Sequence, residues 1–233
     1  MESIYQIIFI GVIFIGIFVY IDYKKYNKSN YKKETNKNYF QMIFDKGNEG
    51  EYRTSRRIKE LEGYSKTIHN AYIPKQGKEE TSEIDIIIVH EKGIFVIENK
   101  NYSGWIFGSE KDRNWKETFK TGKKVSFYNP IKQNKAHIKH LKIYLEKYKE
   151  IPFLSVIVFN ADATLKNVKV ESTDVIVAYS LNYIKRLNEK IKNLTPVLNR
   201  EEIEDIYNTL KEKTIVTEAE KSIHIENINT KYK

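Results

Sequence analysis

The chain has 233 residues, 40% of them hydrophobic, which suffices for one catalytic-size domain with additions. Forty Lys and Arg against 31 Asp and Glu leave a net charge of +9, with a pI near 9.3. That balance favours polyanionic partners such as nucleic acid or an anionic membrane surface, although abundant Lys, Asn, Ile and Tyr also follow from AT-rich coding. The absence of cysteine excludes a disulfide framework and a thiolate metal site, so any metal must be held by oxygen or imidazole.

Residues Ile4 to Ile21 form an uncharged apolar run, about 27 Å long as a helix and close to the thickness of a bilayer core. No basic start and no A-x-A-like cleavage site accompany it, so it reads as an uncleaved anchor; a buried core helix is the competing reading. Lys24, Lys25, Lys28, Lys32 and Lys33 follow it and no Lys or Arg precedes it. The positive-inside rule then predicts a single-pass protein of the cell membrane with the remainder cytoplasmic. From Asp22 to Asn38 the chain is rich in Lys, Asn and Tyr without aliphatics, and is expected to be a solvated basic tether. Phe40, Ile43 and Phe44 recur at helical spacing, and a charged helix is expected from Gly47 to Leu61, closed by Gly63.

Ser65 to Ile73 is expected to be a first strand, and Pro74 to Thr81 a polar loop that could face substrate. The stretch E-I-D-I-I-I-V-H-E-K-G-I-F-V-I-E-N-K, residues 83 to 100, predicts a hairpin of strands Ile84–Val89 and Ile94–Asn99. With a turn over His90 to Gly93, Val89 faces Ile94, Ile87 faces Val96, and Asp85 faces Glu98. Two carboxylates directly opposite would repel unless a cation neutralised them. Strand alternation returns Lys100 to the face of Glu98. Asp, Glu and Lys at one spot suit phosphodiester hydrolysis assisted by a hard divalent cation; the alternative is a surface hairpin with an ion pair at its open end.

Short strands are expected after Lys100, carrying Trp105, Trp115 and Phe119. Lys111, Arg113, Lys116, Lys120, Lys123 and Lys124 interleave with these aromatics and could clamp phosphates while the rings stack on bases; equally, the rings could be core and the lysines solubilising. Asn129-Pro130 signals a helix start, with the helix running to about Lys149. On that helix Ile131, Ile138, Leu141 and Leu145 form an apolar stripe, and Gln133, His137, His140 and Tyr144 another face. Phe153–Phe159 and Asp174–Ala178 predict two more strands, the first central. Leu181–Asn193 and Asn199–Lys213 predict helices, the latter with an Asn199/Glu202 capping pair. The tail beyond is polar.

Four stretches, G-N-E-G-E at 47 to 51, E-I-D at 83 to 85, G-I-F-V-I-E-N-K-N-Y-S-G at 93 to 104 and N-P-I-K-Q-N-K-A-H at 129 to 137, together resemble the NERD (nuclease-related) domain, which is similar to PD-(D/E)xK restriction-endonuclease-like nucleases. The resemblance spans about residues 44 to 160. It implies an α/β fold, a mixed sheet flanked by helices, here preceded by one transmembrane helix. The implied layout is an anchor at 1–21, a tether at 22–38, the nuclease-like domain at 39–160, packing elements at 161–213 and a tail at 214–233. It also implies catalytic roles for Glu51, Asp85, Glu98, Lys100 and Gln133. Asp85, Glu98 and the Asn99 carbonyl would hold Mg²⁺ or Mn²⁺, and Lys100 would orient the attacking water. His137 matches the family pattern and is grouped with the nucleic-acid contacts, a structural hydrogen bond being its other reading. The expected function is a membrane-anchored, metal-dependent nuclease with DNA favoured over RNA; a non-catalytic tethered binder is the alternative. Ile84 stands where the fuller PD-(D/E)xK pattern has Pro.

Overall fold

The computed structural model describes residues 2–77 and 80–215; the polar tail lies almost wholly outside them. The N-terminal apolar run is helical from Glu2 to Asn27 (α1), and its large apolar side chains are exposed from Ile4 to Tyr23. Ser3–Asn27 is the one segment among the described residues long and apolar enough to cross a membrane.

The stretch expected to be a tether is instead folded. Ser29 and Asn38 cap two short helices, Asn30–Thr35 (α2) and Tyr39–Phe44 (α3), and Asp45 caps Lys46–Arg57 (α4). Tyr26, Tyr31, Tyr39, Met42 and Tyr52 pack between them as a small core of their own. Edge-to-face ring pairs build it, among them Tyr26 on Tyr52 at 5.0 Å and Tyr26 on Tyr39 at 5.7 Å. Aromatic rings bury as much apolar surface as aliphatic chains, so a segment without aliphatics still makes a core. Glu34 fastens α2 to the body: its Oε2 accepts the main-chain N–H of His69 and lies 2.7 Å from His69 Nδ1, while His69 Nε2 lies 2.8 Å from Ser55 Oγ on α4.

The body is a five-stranded sheet between helices. Ser65–Pro74 (β1), Thr81–His90 (β2) and Gly93–Lys100 (β3) form an antiparallel meander. The hairpin register is the expected one, Val89 opposite Ile94 and Ile87 opposite Val96, with the strands extended so that only Glu91 and Lys92 make the turn. Phe153–Phe159 (β7) then pairs parallel to β3, and Val175–Tyr179 (β9) parallel to β7. β7 is entirely buried, as its unbroken apolar sequence demands.

Alternation along β2 and β3 divides the core in two. Ile87, Val89, Ile94 and Val96 face Leu141 of helix Pro130–Tyr144 (α5), Leu145 just past its end, and Ile203, Ile206 and Leu210 of helix Arg200–Lys211 (α7). Ile86, Ile88, Phe95 and Ile97 face Ile184, Leu187 and Ile191 of helix Tyr183–Ile191 (α6). The architecture is therefore mixed α/β, as expected, but with a second sheet that sequence patterning did not separate. Trp105–Ser109 (β4), Asn114–Thr118 (β5), Lys124–Tyr128 (β6) and Thr164–Lys169 (β8) form it in the order β6-β5-β4-β8. Trp115, Ile106, Ile157 and Phe159 pack together where it meets the main sheet.

Candidate active site

Strand β3 ends in Glu98, Asn99 and Lys100, and the three side chains divide as strand alternation requires. Glu98 and Lys100 share a face and form an ion pair, Lys100 Nζ to Glu98 Oε1 at 2.8 Å, with side chains only 5% and 16% exposed. Helix α5 lies across this face. Gln133 bridges the pair, donating from Nε2 to Glu98 Oε1 at 2.8 Å and accepting from Lys100 Nζ at 3.0 Å. His137, one turn further along, places Nε2 3.3 Å from Glu98 Oε2, and its Nδ1 lies 2.7 Å from Ser82 Oγ.

The N-P-I-K-Q-N-K-A-H stretch now has a physical account. Asn129 caps α5 and donates to the main-chain carbonyls of Ser109, Glu110 and Asp112. Asn134 pins α5 to the sheet through Val96 O and Ser155 Oγ. Gln133 and His137 are thereby held against Glu98. In N-Y-S-G, Glu117 accepts the N–H groups of Ser103 and Gly104, and a Cβ on Gly104 would stand 2.8 Å from Glu117 Cγ and from Thr118 O.

Asp85 reaches the same place by a different route from the one its register implied. The β2–β3 ladder stops one pair short, at Ile86 with Ile97, and the β1–β2 ladder skips Asn70, which takes a left-handed φ of 52° opposite Asp85. Released from both ladders, Asp85 accepts the main-chain N–H of Asn99 on Oδ2 at 2.7 Å. Its carboxyl is pushed well above the usual range, first by burial and then by the charges of Glu98 and Glu51. Glu51 arrives from α4, and burial raises its carboxyl too, against the opposing pull of Lys37 and Tyr31. Those two partners come from the segment expected to be a tether: Tyr31 donates to Glu51 Oε2 at 3.0 Å, and Lys37 Nζ lies 3.5 Å from the same oxygen. Sequence reasoning missed both, because a Lys/Asn/Tyr stretch carries no periodicity. The missed signal was a tyrosine every few residues.

Glu51, Asp85, Glu98, Asn99 and Lys100 line one cavity of about 160 Å³, whose wall also includes Arg53, Thr54 and Asn160, while Gln133 and His137 stand behind Glu98. The donor chemistry fits a hard divalent cation: buried carboxylates that repel each other, with carbonyl oxygens nearby. Among the described residues no three Asp, Glu, His or Cys side chains already stand as a ligand set.

Glu98 differs from its neighbours in one respect. Burial pushes its carboxyl up, but Lys100 and His137 more than reverse this and hold it at about 2, below the ordinary 4.5. A carboxyl with a depressed folded-state pKa stabilises the fold above its ordinary pKa and loses that contribution as pH falls toward the folded value. Between about pH 4.5 and 2 the stability of the chain should therefore fall with a component approaching about 1.4 kcal/mol per pH unit. Glu98→Gln should remove that component, read from denaturant midpoints across this range.

The lysines expected to meet nucleic acid are exposed around the second sheet. Lys116, Lys120, Lys123 and Lys124 lie on or between β5 and β6, Arg113 lies in the turn before β5, and Lys111 pairs with Glu171 at 2.8 Å. The aromatic half of that expectation divides. Trp115 is fully buried and stacked on Phe159, so it is core and does not meet bases. Trp105 is 42% exposed, with Lys166 above its ring at 5.1 Å. His137 is buried beside Glu98 and stands apart from these lysines.

The inner strands β2 and β3 thus bring Asp85, Glu98 and Lys100 to one cavity, with helix-borne Gln133 bonded to the last two. The chain belongs to the Nuclease-related domain (NERD) family, whose profile matches residues 46–160. A Bacillus anthracis protein, itself named as uncharacterized, is 33% identical to it over 189 residues, covering 80% of this chain and 85% of that one.

Proposed function

We propose that the chain is a membrane-anchored, metal-dependent nuclease that hydrolyses phosphodiester bonds of nucleic acid, DNA in preference to RNA. The observation that carries this reading is the convergence of Asp85, Glu98 and Lys100 on one cavity, with Gln133 hydrogen-bonded to the Glu98–Lys100 pair, in a chain of the nuclease-related family. Bound at Asp85, Glu98 and the Asn99 carbonyl, Mg²⁺ or Mn²⁺ would supply an acidified water and neutralise phosphate charge. Lys100 keeps its proton despite burial, because Glu98 holds its pKa up. Its ammonium group therefore directs N–H donors toward an attacking water or a developing phosphate charge. Gln133 fixes Lys100 and Glu98 relative to each other, and Glu51, on the same cavity, would help through a water or a second ion. The test is cleavage of single- and double-stranded DNA and RNA by the full-length chain in detergent, with Mg²⁺, Mn²⁺ or chelator. Binding without cleavage under every condition would leave a tethered nucleic-acid binder, the reading that the exposed lysines alone support.

Those lysines give a separate expectation. Replacing Lys116, Lys120 and Lys123 together by Ala should weaken nucleic-acid binding and reduce the slope of log K against log salt by about 0.9 for each duplex phosphate no longer neutralised. An unchanged slope would make the second sheet a solubilising surface. The anchor has its own check. With lysines only on the C-terminal side of the apolar run, a reporter fused after Lys233 should behave as cytoplasmic. External behaviour would reverse the orientation and remove cytoplasmic nucleic acid as substrate.

A further inference from the structure

Helix α3 is buried on one side and bare on the other. Its Asn38/Gln41 capping box fixes the start, and Tyr39 and Met42 enter the tyrosine core. Tyr39 stands edge-on to Tyr23 of α1 at 5.5 Å and donates to Asp22 Oδ2 at 3.0 Å, so α3 is seated against the base of α1. On the other side Phe40 and Phe44, one turn apart, are 65% and 81% exposed, their rings parallel within 10° and 6.3 Å apart. Phe40 stands edge-on to Tyr39 at 6.1 Å, and so joins the base of α1 through that ring, while Lys24, Lys25, Lys28 and Lys33, on the C-terminal end of α1 and the segment after it, are exposed.

We propose that α3 is a membrane-interface element, with Phe40 and Phe44 entering the headgroup-acyl boundary beside α1 while those lysines meet anionic lipid headgroups. The inference rests on the reading of α1 as a bilayer span. Two exposed rings on a capped helix, seated through Tyr39 at the base of an apolar rod in a segment rich in exposed lysines, have the chemistry of a lipid boundary: apolar surface for the acyl region, cations for anionic headgroups.

The chain has no cysteine, so single nitroxide labels can be placed without background. Phe44→Cys, Ile13→Cys and Leu181→Cys would be labelled in the full-length chain and reconstituted in bilayers of mixed neutral and anionic phospholipid. Collision with oxygen, which favours the bilayer, and with a water-soluble nickel chelate then reports the depth of each position. The label at 44 should show a several-fold higher oxygen-to-nickel ratio than the label at 181, intermediate between 181 and 13. A label at 44 that matches 181 while 13 remains in the bilayer overturns the proposal and leaves the anchor standing. A label at 13 that matches 181 overturns the anchor reading itself. Mutual broadening of labels at 44 that disappears on dilution with unlabelled chain would assign the face to a second copy and also overturn the proposal.

Discussion

Without metal, Asp85→Asn should melt at a higher temperature than the parent chain and cleave nothing. The sign follows from the site. Burial, then Glu98 and Glu51, raise the Asp85 carboxyl well above its ordinary value. A group with a raised folded-state pKa contributes stability that is complete below its unfolded pKa and is lost as pH rises through the folded one. At neutral pH the Asp85 carboxyl is therefore a cost relative to the unfolded chain, which an isosteric amide removes while its carbonyl still accepts the Asn99 N–H. Adding Mn²⁺ or Mg²⁺ should reverse the order. The parent gains RT ln(1 + [L]/Kd), about 2.7 kcal/mol at 100 times Kd, and the variant gains none.

Lys100→Ala should lower cleavage by roughly 10²–10³-fold, the scale for one transition-state donor, while leaving much of the metal response. It also strands buried Glu98, at about 3–5 kcal/mol, so Lys100→Met combined with Glu98→Gln serves as the folded, inactive control. Thermal melts in chelator and in metal, beside a cleavage assay, decide the matter. An Asp85→Asn chain that melts below the parent in chelator and keeps the metal response would remove Asp85 from the ligand set. The measurements need the full-length chain, because a fragment starting near Phe40 lacks Tyr31 and Lys37, which hold Glu51.

Gly93→Ala should cost roughly 2–6 kcal/mol, the sum of a forced left-handed backbone and an overpacked neighbour. Gly93 closes the hairpin at φ +135°, and a Cβ there would stand 2.4 Å from the main-chain oxygen of Pro152. That oxygen accepts the Ile94 N–H at 2.9 Å, where β3 begins to run beside β7. Disturbing it moves the strand that carries Glu98 and Lys100. Gly122→Ala is the control, with a similarly positive φ of 83° but open space around the added carbon, and should cost only about 1 kcal/mol. Denaturant unfolding measures both; equal losses would show that the Pro152 main chain yields.

The sequence made the central hairpin, the buried β7 and the caps of α5 and α7 legible, because each rests on apolar alternation, an unbroken apolar run or a fixed capping pair. It hid β8, whose T-L-K-N-V-K pairs with β4 across a register shift and keeps no regular alternation. It hid the exact meeting of Asp85 and Glu98, since a ladder interrupted at Asn70 cannot be read from residue types. The chemical membership of the site was legible; the supports of Glu51 were not, because tyrosines packing on tyrosines leave no aliphatic stripe.

That tyrosine packing has a consequence for where the chain can search. A flexible linker of the length from Asp22 to Asn38 would let a domain wander roughly 20–25 Å from its attachment. Here Tyr26 of α1 meets Tyr31 at 6.4 Å between ring centres, and Tyr31 holds Glu51, so a single side chain separates the rod from the cavity wall. With α1 in a bilayer, the cavity would travel at a fixed height in a thin layer parallel to the lipid surface. Under the proposed function, nucleic acid would then be selected by where it lies, and strands held away from the membrane would pass out of range.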